Sequence, residues 1–424
     1  MKKLLILLLA LLTLAGCGGR QADVPETSES APETQEQSDG EGAGEDKYLP
    51  ESSPGQDDAQ AAEDAAAREA AEQNAAALDA QREAKIRALL EKMTLEQKVG
   101  QLFFVRCPEA AAADKIAQYH LGGVLLFTRD YKDAAGNWLT ADQLTTKLGN
   151  YQLTAAYDTG IPLFIGSDEE GGTVTRASRN PNLFPAVSPS PQQLYNTGGI
   201  GAVLNDAAQK NDLLKKYGIN VNFAPVCDVS TDPGDFIYDR ALGRNAAETM
   251  AYAAGVVKVM NGEGVGAVLK HFPGYGNNAD THTGVVVDER SMDWFTKSDF
   301  IPFIGGIRSG APFVLVSHNI VKCMDDKLPA SLSPAVHEQL RGLGFTGVAL
   351  TDDLAMDAVK AYAEDGSVAV LALRAGNDMV VTTDFETQIP QVIAAVRDGT
   401  LDESLIDDAC VRVLKAKMQL GLMK

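Results

Sequence analysis

The chain has 424 residues, a formal net charge of −21 and a pI near 4.6. Its hydrophobic share of 45% is enough for a large core, and nothing basic in it suggests a nucleic-acid binder. Residues 21–70 hold fifteen Asp or Glu against Lys47 and Arg68, so the remainder is only mildly acidic and the low pI says little about a ligand.

At the start, Lys2 and Lys3 precede an apolar run from Leu4 to Leu14. That run is far short of the roughly 20 residues a bilayer needs, so it reads as an export signal and not a spanning helix. The tetrad Leu14-Ala15-Gly16-Cys17 resembles the lipobox of bacterial lipoproteins. The resemblance implies that Cys17 is lipidated and anchors the protein to the outer face of the bacterial plasma membrane, or to the outer membrane of a diderm cell. An ordinary secretory signal with a chance cysteine is the alternative. Next comes a stretch of Gly, Ser, Gln, Pro, Asp and Glu too poor in apolar residues to fold, which predicts a disordered tether. From about Gln60 an Ala-, Glu- and Arg-rich composition favours helix, with no apolar stripe until Ile86, Leu89, Leu90 and Met93. The expected layout is a signal over 1–17, a tether and helical spacer over 18–83 that docks only at its end, and one domain over 84–424.

Thr94 and Gln97 form a capping box ahead of Val99, Leu102 and Phe103, so a helix is expected there. Eight short apolar, β-prone runs then alternate with helix-like segments. They lie around Phe103–Arg106, Gly123–Phe127, Leu163–Gly166, Val221–Phe223, Ala267–Leu269, Phe313–Val316, Val348–Leu350 and Met379–Val381. About 330 residues with eight such units predict an α/β fold of the (β/α)8, TIM-barrel type. Polar groups follow five of the runs: Ser167-Asp168-Glu169-Glu170, Asp228 after Ala224-Pro225, Lys270-His271, Ser317-His318-Asn319 and Thr351-Asp352-Asp353. In this fold the C-terminal strand ends form the active face, so these groups are expected to converge on one mouth. The last helix, with Leu405, Ala409 and Val413 beside Ile406, Cys410 and Leu414, is expected merely to pack outside. Cys107, Cys227, Cys323 and Cys410 are widely spaced and form no CxxC pair, which predicts buried free thiols while leaving disulfides open to an exported chain.

The most specific stretch runs from Lys270 to His282, Lys-His-Phe-Pro-Gly-Tyr-Gly-Asn-Asn-Ala-Asp-Thr-His. Gly274, Gly276 and Gly284 suit a loop over the mouth. Asp280 and His282 are two apart, so an extended backbone points both side chains the same way. The carboxylate can then fix the imidazole tautomer for donating and reaccepting a proton. An Asx-type loop contact with no chemistry is the alternative.

This stretch resembles the Lys-His-(Phe/Ile)-Pro-Gly-His-Gly…Asp-Ser-His signature of the single-domain β-N-acetylhexosaminidases of glycoside hydrolase family 3. It departs at Tyr275, where the signature has histidine, and at Thr281, which keeps the serine hydroxyl. Three further segments agree, and the resemblance spans essentially everything from Met93 onward. Asp168-Glu169-Glu170-Gly171-Gly172-Thr173-Val174-Thr175-Arg176 resembles Asp-Gln-Glu-Gly-Gly-Arg-Val-x-Arg and implies that Asp168 and Arg176 hold sugar hydroxyls. Ala224-Pro225-Val226-Cys227-Asp228-Val229 resembles Ala-Pro-Val-x-Asp-Val, followed by an arginine matched to Arg240. Thr351-Asp352-Asp353-Leu354-Ala355-Met356 resembles Ser-Asp-x-Leu-x-Met, whose first aspartate is the nucleophile.

The resemblance implies a retaining glycosidase in which Asp352 attacks the anomeric carbon and His282, oriented by Asp280, is the acid/base. Lys270 and His271 would bind sugar hydroxyls; an ion pair from Lys270 to Asp352 or Asp228 is the alternative for that lysine, compatible with the same role. Asp353 is expected to cap or support, and Asp378 to organise the eighth strand end. The implied partner is a glycan ending in N-acetylglucosamine, from peptidoglycan fragments or chitooligosaccharides, with no cofactor and no metal. Other readings are a metal-dependent barrel hydrolase using His271, His282, His318 and Asp352, a sugar-binding lipoprotein without catalysis, and a β-glucosidase or β-xylosidase. The last typically carries a second domain, whereas this chain is expected to end with its barrel. Phosphate in place of water as acceptor stays open.

Overall fold

The computed structural model describes residues 54–279, 284–363 and 367–424. Chain contacts separate two units, residues 1–67 and 68–424. In the first, residues 54–67 are helical, the opening of a helix that spans Pro54–Leu90. In the second, Ile86 and Leu90 are buried in the main core and Leu89 and Met93 pack against it, as the late onset of apolar residues predicts. Among the described residues no helix is long and apolar enough to cross a membrane.

Among the described residues the second unit is built round an eight-stranded sheet, β1 Phe103–Arg106, β2 Gly123–Leu126, β3 Phe164–Ser167, β4 Val221–Asn222, β5 Gly266–Phe272, β6 Phe313–Val316, β7 Val348–Thr351 and β8 Val380–Thr382, with a separate two-stranded pairing of Val287–Asp288 and Ile320–Val321. The order in the sheet is β8-β1-β2-β3-β4-β5-β6-β7, every pair parallel. A parallel bridge between Leu350 and Met379 brings β7 to β8 and nearly closes the ring. The strands are buried almost throughout, as parallel strands covered on both faces must be. All eight runs read from the sequence are strands. β5 is longer than its run, so Lys270 and His271 lie within the strand and not after it.

Helix starts follow local chemistry. Thr94 with Gln97, Thr140 with Gln143 and Ser190 with Gln193 are complete capping boxes, satisfying otherwise orphaned N–H groups. Inside the barrel, Phe104 stacks on Phe164 at 6.1 Å and meets Phe223 edge-on at 5.2 Å, while Phe164 meets Phe313 at 5.1 Å. Gly166 makes this packing fit, because a Cβ there would lie 2.8 Å from both Phe104 and Phe223.

Two expectations need correction. Cys107, Cys227 and Cys410 are buried free thiols, but Cys323 is exposed, on the turn after Ile320–Val321. The last helix, Glu403–Gln419, does more than cover the outside. Its Leu405 is exposed, and its Lys417 is fully buried, donating to Gln101 Oε1 at 2.6 Å just ahead of β1 and lying 4.9 Å from the Phe164 ring. Apolar periodicity misses such a contact because a lysine counts as a solvent-facing residue. Asp378 organises the start of β8, accepting from Ala349 N and pairing with Arg341 and Arg412.

Candidate active site

The strand ends are shaped by buried carboxylates that tie loop backbone down. After β3, the Glu169 carboxylate accepts from the N–H groups of Arg176, Ala177 and Ser178, folding that segment back on itself. Asn222 at the end of β4 holds the Glu169 backbone on both sides, at 3.0 and 3.2 Å. The turn needs Gly171, with φ +103° and a Cβ that would lie 2.2 Å from Pro189 O. Asp168 and Arg176 are thereby brought together, at 3.8 Å.

Asp228 plays the same part for β5. Its carboxylate accepts from His271 N and Tyr275 N and meets His271 Nδ1 at 2.8 Å. Arg240 Nη2 lies 3.1 Å from His271 Nε2. Arginine only donates, so Nε2 accepts and Nδ1 carries the hydrogen shared with Asp228. The Lys270–His271 peptide bond is cis.

Lys270 makes other ion pairs than those weighed for it. Its Nζ pairs with Asp168 at 3.0 Å and Glu170 at 2.6 Å, and not with Asp352 or Asp228. Glu170 also takes Arg240 in a two-point bond, Nε at 3.0 Å and Nη2 at 2.7 Å. Burial alone would raise the Glu170 carboxyl, but Arg240 and Lys270 outweigh it and hold the group well below the usual carboxylate range.

Across the mouth, Asp352 follows β7, its N–H donating to Val316 O and one carboxylate oxygen accepting from Asp353 N at 2.9 Å. Asp353 accepts from Ala355 N and Thr383 Oγ1, the capping role expected of it. Burial first, and then the charge of Asp352, raise its pKa. His318, expected at the mouth, is fully buried behind this loop, against Ser331 Oγ and the Asp353 carbonyl.

A cavity of about 320 Å³ at these strand ends is lined by Asp168, Arg176, Arg240, Lys270, His271 and Asp352, six residues singled out in the sequence. Asp280, His282 and Cys17 lie outside the described residues. Arg106, Phe127 and Tyr275 also line it, and Glu170 anchors its wall; none had been given a role. Arg106 ends an apolar run just as Lys270 does, a signal available in the sequence. Among the described residues no group of three His, Cys, Asp or Glu is arranged to hold a metal ion. A larger cavity of about 610 Å³, lined by Tyr119, His120, Ile389 and Ile393 among others, contains none of the strand-end residues. Chemically, a carboxylate facing charged donors and acceptors suits a polyhydroxylated ligand and an electrophilic carbon.

The sequence profile of the glycosyl hydrolase family 3 N-terminal domain matches residues 94–416. A β-hexosaminidase of Mycobacterium tuberculosis, LpqI, is 33% identical over 333 residues, covering 76% of this chain and 82% of that protein. A family 3 β-N-acetylglucosaminidase from Paenibacillus superposes with a TM-score of 0.71 at 31% identity, over 78% of this chain and 63% of that one. A β-N-acetylhexosaminidase from Beutenbergia cavernae gives a TM-score of 0.69 at 30% identity, over 77% and 99%.

Proposed function

The chain belongs to glycosyl hydrolase family 3 and is a glycosidase, and we propose that it is an exo-acting, retaining β-N-acetylhexosaminidase that removes terminal non-reducing N-acetylglucosamine. The observation carrying this reading is the shared cavity, in which the Asp352 carboxylate faces Asp168, Arg176, Arg240, Lys270 and His271. The family's β-hexosaminidases supply the substrate class.

In the proposed reaction an Asp352 oxygen attacks the anomeric carbon as the bond to the leaving oxygen breaks. His282, oriented by Asp280, gives that oxygen its proton. Water then attacks the same carbon, His282 takes the water's proton, and Asp352 leaves as a carboxylate, so two inversions give retention. Asp168, Arg176, Arg240, Lys270 and His271 hold the sugar. The substrates are peptidoglycan fragments or chitooligosaccharides. The proposed layout is an export signal over 1–17 with Cys17 lipidated, a tether and spacer over 18–83, and the catalytic barrel over 84–424. It puts the enzyme on the outer face of a membrane.

The test is hydrolysis of p-nitrophenyl N-acetyl-β-glucosaminide by the parent, Asp352→Asn and His282→Ala. Both variants should lose at least about a thousandfold in kcat, and azide should rescue His282→Ala with a β-glycosyl azide as product. Equal turnover of the corresponding glucoside would overturn the N-acetyl preference. Activity lost to a chelator and regained with zinc would favour the metal-dependent reading.

A further inference from the structure

Arg106 ends β1 and lines the same cavity, yet nothing in the reaction proposed above uses it. Two observations set it apart from the other basic side chains of that wall. Arg176 pairs with Asp168, Arg240 with Glu170, and Lys270 with both carboxylates. Among the described residues Arg106 has no such partner, and its Nε is buried without an acceptor. Its guanidinium also lies 4.3 Å from the centre of the Phe127 ring, which the Arg176 guanidinium overlies at 5.5 Å. Stacking on an aromatic face fixes the plane of a guanidinium while consuming none of its N–H donors. Phe127 therefore holds Arg106 beside the Arg176–Asp168 pair with its donors unspent. An unmatched charged donor inside a protein is costly, and the cost is recovered when a ligand brings the acceptor.

We infer that Arg106 is a further substrate-binding residue, whose N–H fork donates to oxygen atoms of the bound sugar next to those held by Asp168 and Arg176. The inference rests on the glycosidase reading of the cavity. Hydroxyl and acetamido oxygens of a pyranose are acceptors of the required kind, and a planar fork can take two neighbouring ones. Because such contacts form with the sugar in the ground state as well as in the transition state, their loss belongs in KM more than in kcat.

The experiment compares Arg106→Met, which keeps an apolar stem on Phe127, and Arg106→Lys, which keeps the charge but loses the fork. For each, KM and kcat are measured on p-nitrophenyl N-acetyl-β-glucosaminide, with Ki for free N-acetylglucosamine and the thermal unfolding midpoint. In Arg106→Met, KM and Ki should rise together by about ten- to a hundredfold, the size of a lost charged hydrogen bond, with an unchanged midpoint and a smaller effect on kcat. Arg106→Lys should fall between that variant and the parent, and it carries the test if Arg106→Met does not fold. Added methylguanidinium should restore part of the loss in Arg106→Ala, which a purely structural arginine would not show. Unchanged KM and Ki in folded variants, or a loss confined to kcat, would overturn the role of Arg106 while leaving an active glycosidase. A parent that binds N-acetylglucosamine through Arg106 yet cleaves no glycoside would instead sink the glycosidase reading alone, and a parent that does neither would sink both.

Discussion

Glu170 stands between two cations that point into the cavity, and its own carboxylate is almost wholly removed from water, with 3% of the residue exposed. It is a positioning residue: Lys270 at 2.6 Å and Arg240 at 2.7 Å take their places from it before either meets a sugar. Glu170→Gln keeps the shape and removes the charge, leaving two buried cations short of a partner. Breaking a buried pair on one side costs about 3–5 kcal/mol, so urea unfolding should show a loss of that order at pH 7. KM for the N-acetylglucosaminide should rise with it if Lys270 and Arg240 bind the sugar as proposed, because both donors are released. The carboxyl is held below its ordinary range, so its contribution is present above about pH 4.5 and fades only as pH falls through the lowered value. The gap between parent and variant should therefore narrow in acid, and a gap independent of pH would show that shape, not charge, is what Glu170 supplies.

The loop after β5 shows how much of an element can be read from sequence and where reading stops. Gly274 and Gly276 announce a loop with left-handed backbone, and both have positive φ, +127° and +53°. The strand ends were legible for a related reason: an apolar run that stops at a charged residue marks both a strand and the face it opens on. What lies under the loop was not legible. Arg290 pairs with Asp288 and Asp299 and donates to Gly274 O, while Asn278 holds Asp288 at 2.6 Å. Asp288 and Arg290 are two apart and can meet locally, but tertiary folding brings Gly274, Asn278 and Asp299 to them, beside the short pairing of Val287–Asp288 with Ile320–Val321. A Cβ at Gly276 would lie 2.1 Å from Arg290 Nη1 and one at Gly274 would lie 2.4 Å from Asp299 Oδ1. Gly276→Ala should thus displace Arg290 and loosen the loop on which the proposed acid/base follows. Stopped assays should give a kcat lowered about tenfold or more with KM little changed, and Arg290→Met should reproduce that pattern. Normal kcat in both variants would mean that the cluster braces the fold alone.

At the scale of the whole molecule, charge is paired at both ends of the barrel, through Asp168, Glu170, Arg240 and Lys270 at the mouth and through Asp378, Arg341 and Arg412 where β8 begins. Lys417, from the last helix, departs from this: among the described residues its buried ammonium donates to the Gln101 side-chain oxygen and lies beside the Phe164 ring, with no carboxylate partner. Burial pulls the Lys417 amine down to about 7 from 10.5, so near neutral pH its buried charge weighs against stability. The sign follows from linkage. A lysine whose folded pKa is depressed contributes stability that is complete above its unfolded value near 10.5 and is lost as pH falls through about 7, at roughly 1.4 kcal/mol per pH unit between the two. Lys417→Met fills similar volume with no charge to desolvate and gives up one hydrogen bond, about 1 kcal/mol. Its stability relative to the parent should accordingly improve by about 3 kcal/mol between pH 9 and pH 7 and level off below. Denaturant unfolding of both proteins across that range checks this. Parallel curves would mean that the ammonium is not desolvated beneath the barrel, and a variant less stable at every pH would mean that the bond to Gln101 matters more than burial of the charge.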